Sequence, residues 1–287
     1  MKLFCFGMGY SATALVALLP DATIVATARS AEAARELAAR GIEPVAFDGK
    51  TALPDNALDG ATHILVSVPP GDDGDPAIQW CRDQLLTAAS LCWVGYLSTT
   101  GVYGDHQGGW VDEATPLTPA GSRGARRVTA ELQWQELFAT RPEVAVQVFR
   151  LAGIYGPGRN QFRAIREGKA RRLVKAGQVF SRIHVDDIAT ILKASVDNPM
   201  NGAAYNVCDD EPAPPQDVVA FAAQLLDVTP PPEVAFEDAD LSPMARSFYG
   251  ESKRVSNRRI RGELGVSLKY PNYRDGLLAV AKAEGLI

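Results

Sequence analysis

The chain has 287 residues, 46% of them hydrophobic and 22% charged, with a net charge of −5. This is ample apolar content for one large or two modest domains, and the acidic balance excludes the basic face that nucleic-acid binding needs. No run of about twenty apolar residues is present, which excludes a spanning helix and a membrane partner. The four cysteines, Cys5, Cys81, Cys92 and Cys208, form no C-x-x-C pair, and that usage suits a reduced, cytoplasmic protein. No histidine, cysteine and carboxylate cluster has metal-ligand spacing, so no metal is expected.

Lys2 to Phe6 reads as a short buried strand, and Ser11 to Leu19 as a helix. Between them, Gly7, Gly9 and Ala12 are spaced as G-x-G-x-x-A, the dinucleotide fingerprint. Gly7 permits the sharp turn, Gly9 lets a diphosphate approach the backbone, and Ala12 lets helix and strand pack closely. Gly7, Met8, Gly9, Tyr10, Ser11 and Ala12 are therefore the expected cofactor-binding residues, with the helix N-terminus supplying amide donors. The same stretch can be read as a secretory signal. Gly7, Gly9, Ser11 and Thr13 interrupt the apolar core that such a signal requires.

Thr23 to Thr27 is a second strand, ending in Ala28-Arg29-Ser30. An acid here would bind the ribose 2′-OH of NAD. Arg29 and Ser30 suit a 2′-phosphate, which favours NADP with NAD as the alternative; the plainer reading is a solvated arginine with Ser30 as a helix cap. Ala31 to Arg40 is a helix closed by Gly41, and Ile42 to Phe47 a third strand. Asp48 closes that strand, where its carboxylate reaches an adenine ring or starts a turn. His63 to Val68 is a continuous apolar strand of the kind buried on both faces. It runs into Pro69 and Pro70, so Ser67, Val68 and Pro69 are further cofactor contacts. Pro76 to Ser90 is a helix and Cys92 to Leu97 a fifth strand.

This alternation predicts an α/β fold, a Rossmann-type doubly wound parallel sheet. Ligand should lie at the carboxyl ends of the strands, near Gly7–Ala12, Ser67–Pro70 and Ser98–Gly104. The later chain holds helical runs at 161–168, 186–197, 212–226, 255–264 and 273–285. The expected division is a dinucleotide-binding domain of residues 1–155 plus 183–208, and a smaller C-terminal α/β substrate domain of 156–182 plus 209–287. Arg159, Asn160, Arg246, Tyr249, Lys253 and Arg254 are polar candidates for the inner face of the second.

Several spaced segments now agree with one another. Ser98-Thr99-Thr100-Gly101-Val102-Tyr103-Gly104 follows the fifth strand; Val111-Asp112-Glu113 precedes Pro116; Tyr155-Gly156-Pro157-Gly158 ends a later strand; His184-Val185-Asp186-Asp187 and Tyr205-Asn206-Val207 come after. In this order they resemble the extended short-chain dehydrogenase/reductase family, which includes nucleotide-sugar epimerases and dehydratases. The resemblance covers nearly the whole chain. It implies hydride-linked oxidoreduction, epimerisation or dehydration of a small polar substrate, and a homodimer formed through the helices at Pro76–Ser90 and Arg123–Ala139.

The resemblance also implies a Tyr-x-x-x-Lys pair followed four residues later by Glu. Setting Glu131 in that last place puts Arg127 at the lysine position and Arg123 at the tyrosine position. Arg127 keeps a positive charge, although as a fork rather than a point charge. Arg123 cannot carry the proton of a phenol, because arginine is effectively never deprotonated. Arg123, Arg126 and Arg127 form either a solvated helix start or an anion clamp. Thr99 falls at the family's substrate-oxygen donor. His106 is the one histidine to consider as an acid–base group, set against a plain loop role. The family's diphosphate-binding arginine, four residues before His184, is here Phe180, while Arg182 lies two residues before it; a nucleotide-sugar substrate is thus not expected. Two functions remain open: an atypical NADP(H)- or NAD(H)-linked enzyme using Thr99, Arg123, Arg127 and His106, or a dinucleotide-binding sensor or scaffold without turnover.

Overall fold

The computed structural model describes the backbone of residues 1–287 and every side chain except that of Met244. Seven strands, β1 (Lys2–Phe6), β2 (Thr23–Ala28), β3 (Glu43–Ala46), β4 (His63–Val66), β5 (Trp93–Thr99), β6 (Ala145–Leu151) and β7 (Ala204–Val207), form one parallel sheet in the order β7-β6-β5-β4-β1-β2-β3. The register aligns Leu3 with Ile24 on one side and with His63 on the other. Helices α1 (Tyr10–Ala17), α2 (Ala31–Ala39), α3 (Pro76–Thr87), α4 (Ser122–Leu137) and α5 (Val185–Asp197) are interspersed with these strands along the chain. The α/β class and doubly wound parallel sheet expected from the alternating pattern are thus present.

Local chemistry accounts for the elements. β1, β4 and β5 are apolar on consecutive residues because helices cover both sheet faces, so no outward polar face is needed. Pro44 lies in β3, at the edge of the sheet, where its missing N–H breaks no ladder on the open side. Ser30 caps α2 by accepting from the Ala33 amide at 3.1 Å, and Asp75 caps α3 by accepting from Ala77 at 2.9 Å. The strand order reverses between β1 and β4, and the carboxyl edge at such a switch point is where doubly wound sheets bind ligand.

The chain divides into two compact units. The first comprises Met1–Thr99, Ser122–Arg150 and Ile188–Tyr205. Its core includes Phe4, Phe6, Ile64, Val66, Tyr96, Trp134 and Val148. The second comprises Thr100–Gly121, Leu151–Asp187 and Asn206–Ile287, with a core of Tyr155, Phe162, Val218, Tyr273, Leu277 and neighbouring residues. It mixes two-stranded pairs, such as Gly153–Tyr155 with Arg182–His184, and helices at Pro215–Leu225 and Tyr273–Ala283.

Several predicted helices are shorter than their sequence patterns, 161–168 forming only over Phe162–Arg166 and 76–90 only over Pro76–Thr87. The run 255–264 becomes a helix only over Arg258–Leu264, because Arg254–Val255 is a strand paired with Trp110–Val111. The Arg254 amide donates to Gly109 O at 2.8 Å and the Ser256 amide to Val111 O at 2.9 Å. Those bonds to a segment over 140 residues earlier hold the backbone extended.

Candidate cofactor site

The turn after β1 is held from two sides. Gly7 has φ +86°, a conformation that favours glycine, and a Cβ there would meet Ser67 Oγ at 2.8 Å. Its amide donates to Thr27 Oγ1 at 2.8 Å, and its carbonyl lies 3.0 Å from Ser67 Oγ, which donates to it. The Ser67 amide donates to Phe6 O at 2.9 Å. The tips of β1, β2 and β4 are thereby clamped into one rigid corner.

Gly9 is the opposite case. It is the exposed N-cap of α1, and a Cβ there would meet nothing within 4 Å. The first helical bond runs from the Thr13 amide to Gly9 O at 2.9 Å, so the amides of Ser11 and Ala12 lie ahead of the helix ladder. Ala12 is fully buried, where only a small side chain fits between helix and strand. A rigid corner opening onto clear space before a helix N-terminus fits a dinucleotide diphosphate. Met8 and Tyr10 are half-buried flanks of this turn, Val68 stands beside Gly7, and Pro69 is exposed just beyond.

At the neighbouring strand tips the residues divide. Arg29 is exposed and makes no hydrogen bond or ion pair among the described residues. Ser30 spends its hydroxyl on the α2 cap. Asp48 spends Oδ1 on the amides of Lys50 at 2.8 Å and Thr51 at 3.2 Å. These bonds, the Lys50 amide first, hold its carboxyl below the usual range. Asp48 therefore builds a turn.

The start of α4 is anchored to the end of β5. Arg127 Nη1 donates to Leu97 O at 2.6 Å and to the Tyr96 hydroxyl at 3.2 Å. Arg126 pairs with Asp72, and Arg123, four residues before Arg127 on the same helix face, is exposed. Behind them Glu131 is buried and accepts from Arg150 Nη2 at 2.8 Å and from Ser98 Oγ at 2.5 Å. This buried triad joins α4 to β5 and β6 and sets Thr99, the next residue of β5, at the strand's carboxyl tip. Two strand spacings in the sheet order, about 10 Å, separate β5 from β1. Thr99 and Arg127 are thus carried on the same sheet edge as the opening turn.

Sequence reasoning missed Thr27 and the Glu131–Arg150–Ser98 triad as framework. A hydroxyl near the end of the otherwise apolar Thr23–Ala28 strand was the available signal for the first; the second has none that is local. It also missed Asp75. That residue is 1% exposed, its amide donates to Gln133 Oε1 at 3.0 Å, and burial pushes its carboxyl up to about 6 against the pull of Trp134 and the Ala77 amide. Burial also pushes the Tyr96 phenol up, although Arg127 opposes it.

His106 belongs to the second unit. Its Nε2 lies 3.1 Å from Tyr103 O and its amide donates to Ser252 O at 3.1 Å, so the ring and backbone both tie a loop. In the same unit, the Tyr103 hydroxyl donates to Asn206 Oδ1 at 2.7 Å, and the Asp186 amide donates to His184 Nδ1 at 3.1 Å. Burial pushes His184 down to about 4, which keeps that ring neutral.

The fold and this corner are those of a Rossmann-type α/β protein. Residues 78–208 match the model of the NAD dependent epimerase/dehydratase family. The chain is 32% identical over 225 residues to Protein YeeZ of Escherichia coli (strain K12), covering 76% of this chain and 74% of that one. The chain belongs to the NAD dependent epimerase/dehydratase family. A conserved protein of unknown function from Silicibacter pomeroyi is 54% identical, with a TM-score of 0.91 over 98% of both chains. Lower identity preserves the fold. The dTDP-glucose 4,6-dehydratase of Bacillus anthracis, in complex with NAD, is 16% identical with a TM-score of 0.79, covering 99% of this chain and 96% of that one. The human epimerase family protein SDR39U1, with NADPH, is 16% identical with a TM-score of 0.73 over 98% and 99%. No described helix is long and apolar enough to cross a membrane.

Proposed function

We propose that this protein is an NADP(H)-linked enzyme of its family acting on a small polar substrate. The observation that carries the reading is the corner at Gly7 and Gly9: its framework hydrogen bonds are complete, yet it opens onto clear space at a helix N-terminus. The amides of Gly9, Ser11 and Ala12 would hold the diphosphate. Arg29, exposed at the end of β2 beside the N-terminus of α2, would hold a 2′-phosphate. When bound, the nicotinamide supplies hydride transfer. Thr99 would donate a hydrogen bond to the reacting oxygen, and Arg127, pinned at the end of β5, would hold positive charge there. Arg123 and Arg127 cannot exchange a proton near neutrality, so that proton passes to another group or to water.

Calorimetric titration with NADPH and NADH tests this directly. NADPH should bind more tightly, and Arg29→Asp should weaken NADPH by about tenfold or more while sparing NADH. Equal effects on both cofactors would refute the assignment of Arg29, and absence of binding by either would refute the cofactor site. A second reading, a dinucleotide sensor without turnover, is favoured by the two arginines at Arg123 and Arg127. Redox change of bound NADPH on addition of cell metabolites supports the enzyme; a bound cofactor that never changes supports the sensor.

A further inference from the structure

The second unit buries an arginine that no carboxylate contacts. Arg182 is 9% exposed. Its Nη1 donates to the carbonyls of Phe180 at 2.8 Å and Ala213 at 3.1 Å. Among the described residues, Nε and Nη2 have no hydrogen-bond partner, and no Asp or Glu oxygen lies within 4.0 Å of the guanidinium. Asp209 is the acid in its electrostatic surroundings, and the phenols of Tyr155, Tyr249 and Tyr273 share that field. Asp209 is 1% exposed and makes no ion pair with Arg182, and burial pushes its carboxyl up to about 8. A guanidinium taken out of water without a counter-charge is costly, and arginine cannot relieve that cost by losing its proton.

An aromatic wall adjoins it. Phe180 meets Tyr249 edge-on at 5.5 Å, and Phe236 stacks on Tyr249 at 5.1 Å. Lys175 and Arg246 both stand over the Phe236 ring, at 5.3 and 5.0 Å. Both also donate to backbone, Lys175 to Tyr249 O and Arg246 to Ala239 O at 3.1 Å. These two cations each spend one donor on a carbonyl and cover the Phe236 ring. Arg182 presents a whole guanidinium edge, Nε and Nη2, and one such edge matches one carboxylate.

We propose that Arg182 anchors the carboxylate of a small ring-bearing acid, whose ring lies along Phe180, Tyr249 and Phe236. This goes beyond the enzyme reading above and stands on the second unit alone. A diphosphate is the competing anion, and UDP-glucose is the probe for it.

The test uses the full chain and four probes: benzoate, benzamide, UDP-glucose and NADPH, each titrated by calorimetry. Benzoate should bind, and benzamide, with the same ring and no charge, should bind about ten- to a hundredfold more weakly. Arg182→Met should lose benzoate affinity by a similar factor, with NADPH affinity unchanged. Arg182→Lys should fall between the two. Equal binding of benzoate and benzamide, undiminished benzoate binding by Arg182→Met, or UDP-glucose binding more tightly than benzoate would overturn the proposal. If Arg182→Met does not fold, the benzoate–benzamide ratio on the unaltered protein and the Arg182→Lys variant decide. Loss of NADPH binding by the unaltered protein refutes the cofactor reading and leaves the benzoate result separate.

Discussion

Gly7 and Thr27 show how single atoms shape the opening turn. A methyl group at Gly7 must enter a φ of +86° and come within 2.8 Å of Ser67 Oγ. Gly7→Ala should cost about 1–2 kcal/mol in urea unfolding and weaken NADPH binding with it. Thr27→Val keeps the shape but removes the acceptor for the Gly7 amide at 2.8 Å. It should cost about 1–3 kcal/mol, with Thr27→Ser restoring most of it; equal stability of the Val and Ser variants would show that the bond contributes nothing. The glycine spacing was legible because the fingerprint is local. Thr27 was not legible as part of it, since twenty residues separate donor from acceptor and only β1–β2 pairing brings them together. At Ser30 and Asp48 the sequence left two readings open. The structure spends both side chains on caps and turns and leaves Arg29 exposed.

Helix α4 depends on an ion pair that the sequence hid. Glu131 and Arg150 are 2% and 6% exposed, and Ser98 adds a third bond. Glu131→Ala would leave Arg150 buried without its counter-charge and should destabilise the protein by about 3–5 kcal/mol. Removing both partners as Glu131→Ala and Arg150→Met should cost less than the single change, which chemical denaturation can measure. The position of Glu131 was readable through the family resemblance. What it bonds was not, because Arg150 is a buried charge inside a strand that looks apolar on either side. The same limit applies to Arg254–Val255, whose strand pairing exists only because residues 110–111 lie alongside.

At the scale of the whole molecule, buried acids make stability depend on pH. Asp75 rises from 3.8 to about 6 on folding. Between those values the folded chain holds a proton that the unfolded chain has released, so this group's contribution to stability falls as pH rises through the window. The shift of about two units corresponds to about 3 kcal/mol. Asp75→Asn keeps a capping oxygen and stays neutral, so its stability relative to the unaltered protein should rise by about that amount between about pH 4 and pH 7. Urea melts across that range check the sign; a gap that does not change with pH would show that Asp75 ionises freely.

The order of strands and helices, the glycine turn and the family were all present in the one-dimensional chain, because each rests on spacings within a few residues or on distinct motifs in a fixed order along it. Which hydroxyl holds the Gly7 amide, which acid balances Arg150, and which buried arginine bonds carbonyls and no carboxylate are properties of contacts made across tens of residues. Hydrophobic periodicity places a side chain inside or outside; only the packed sheet and its neighbours determine whether a buried charge meets its opposite.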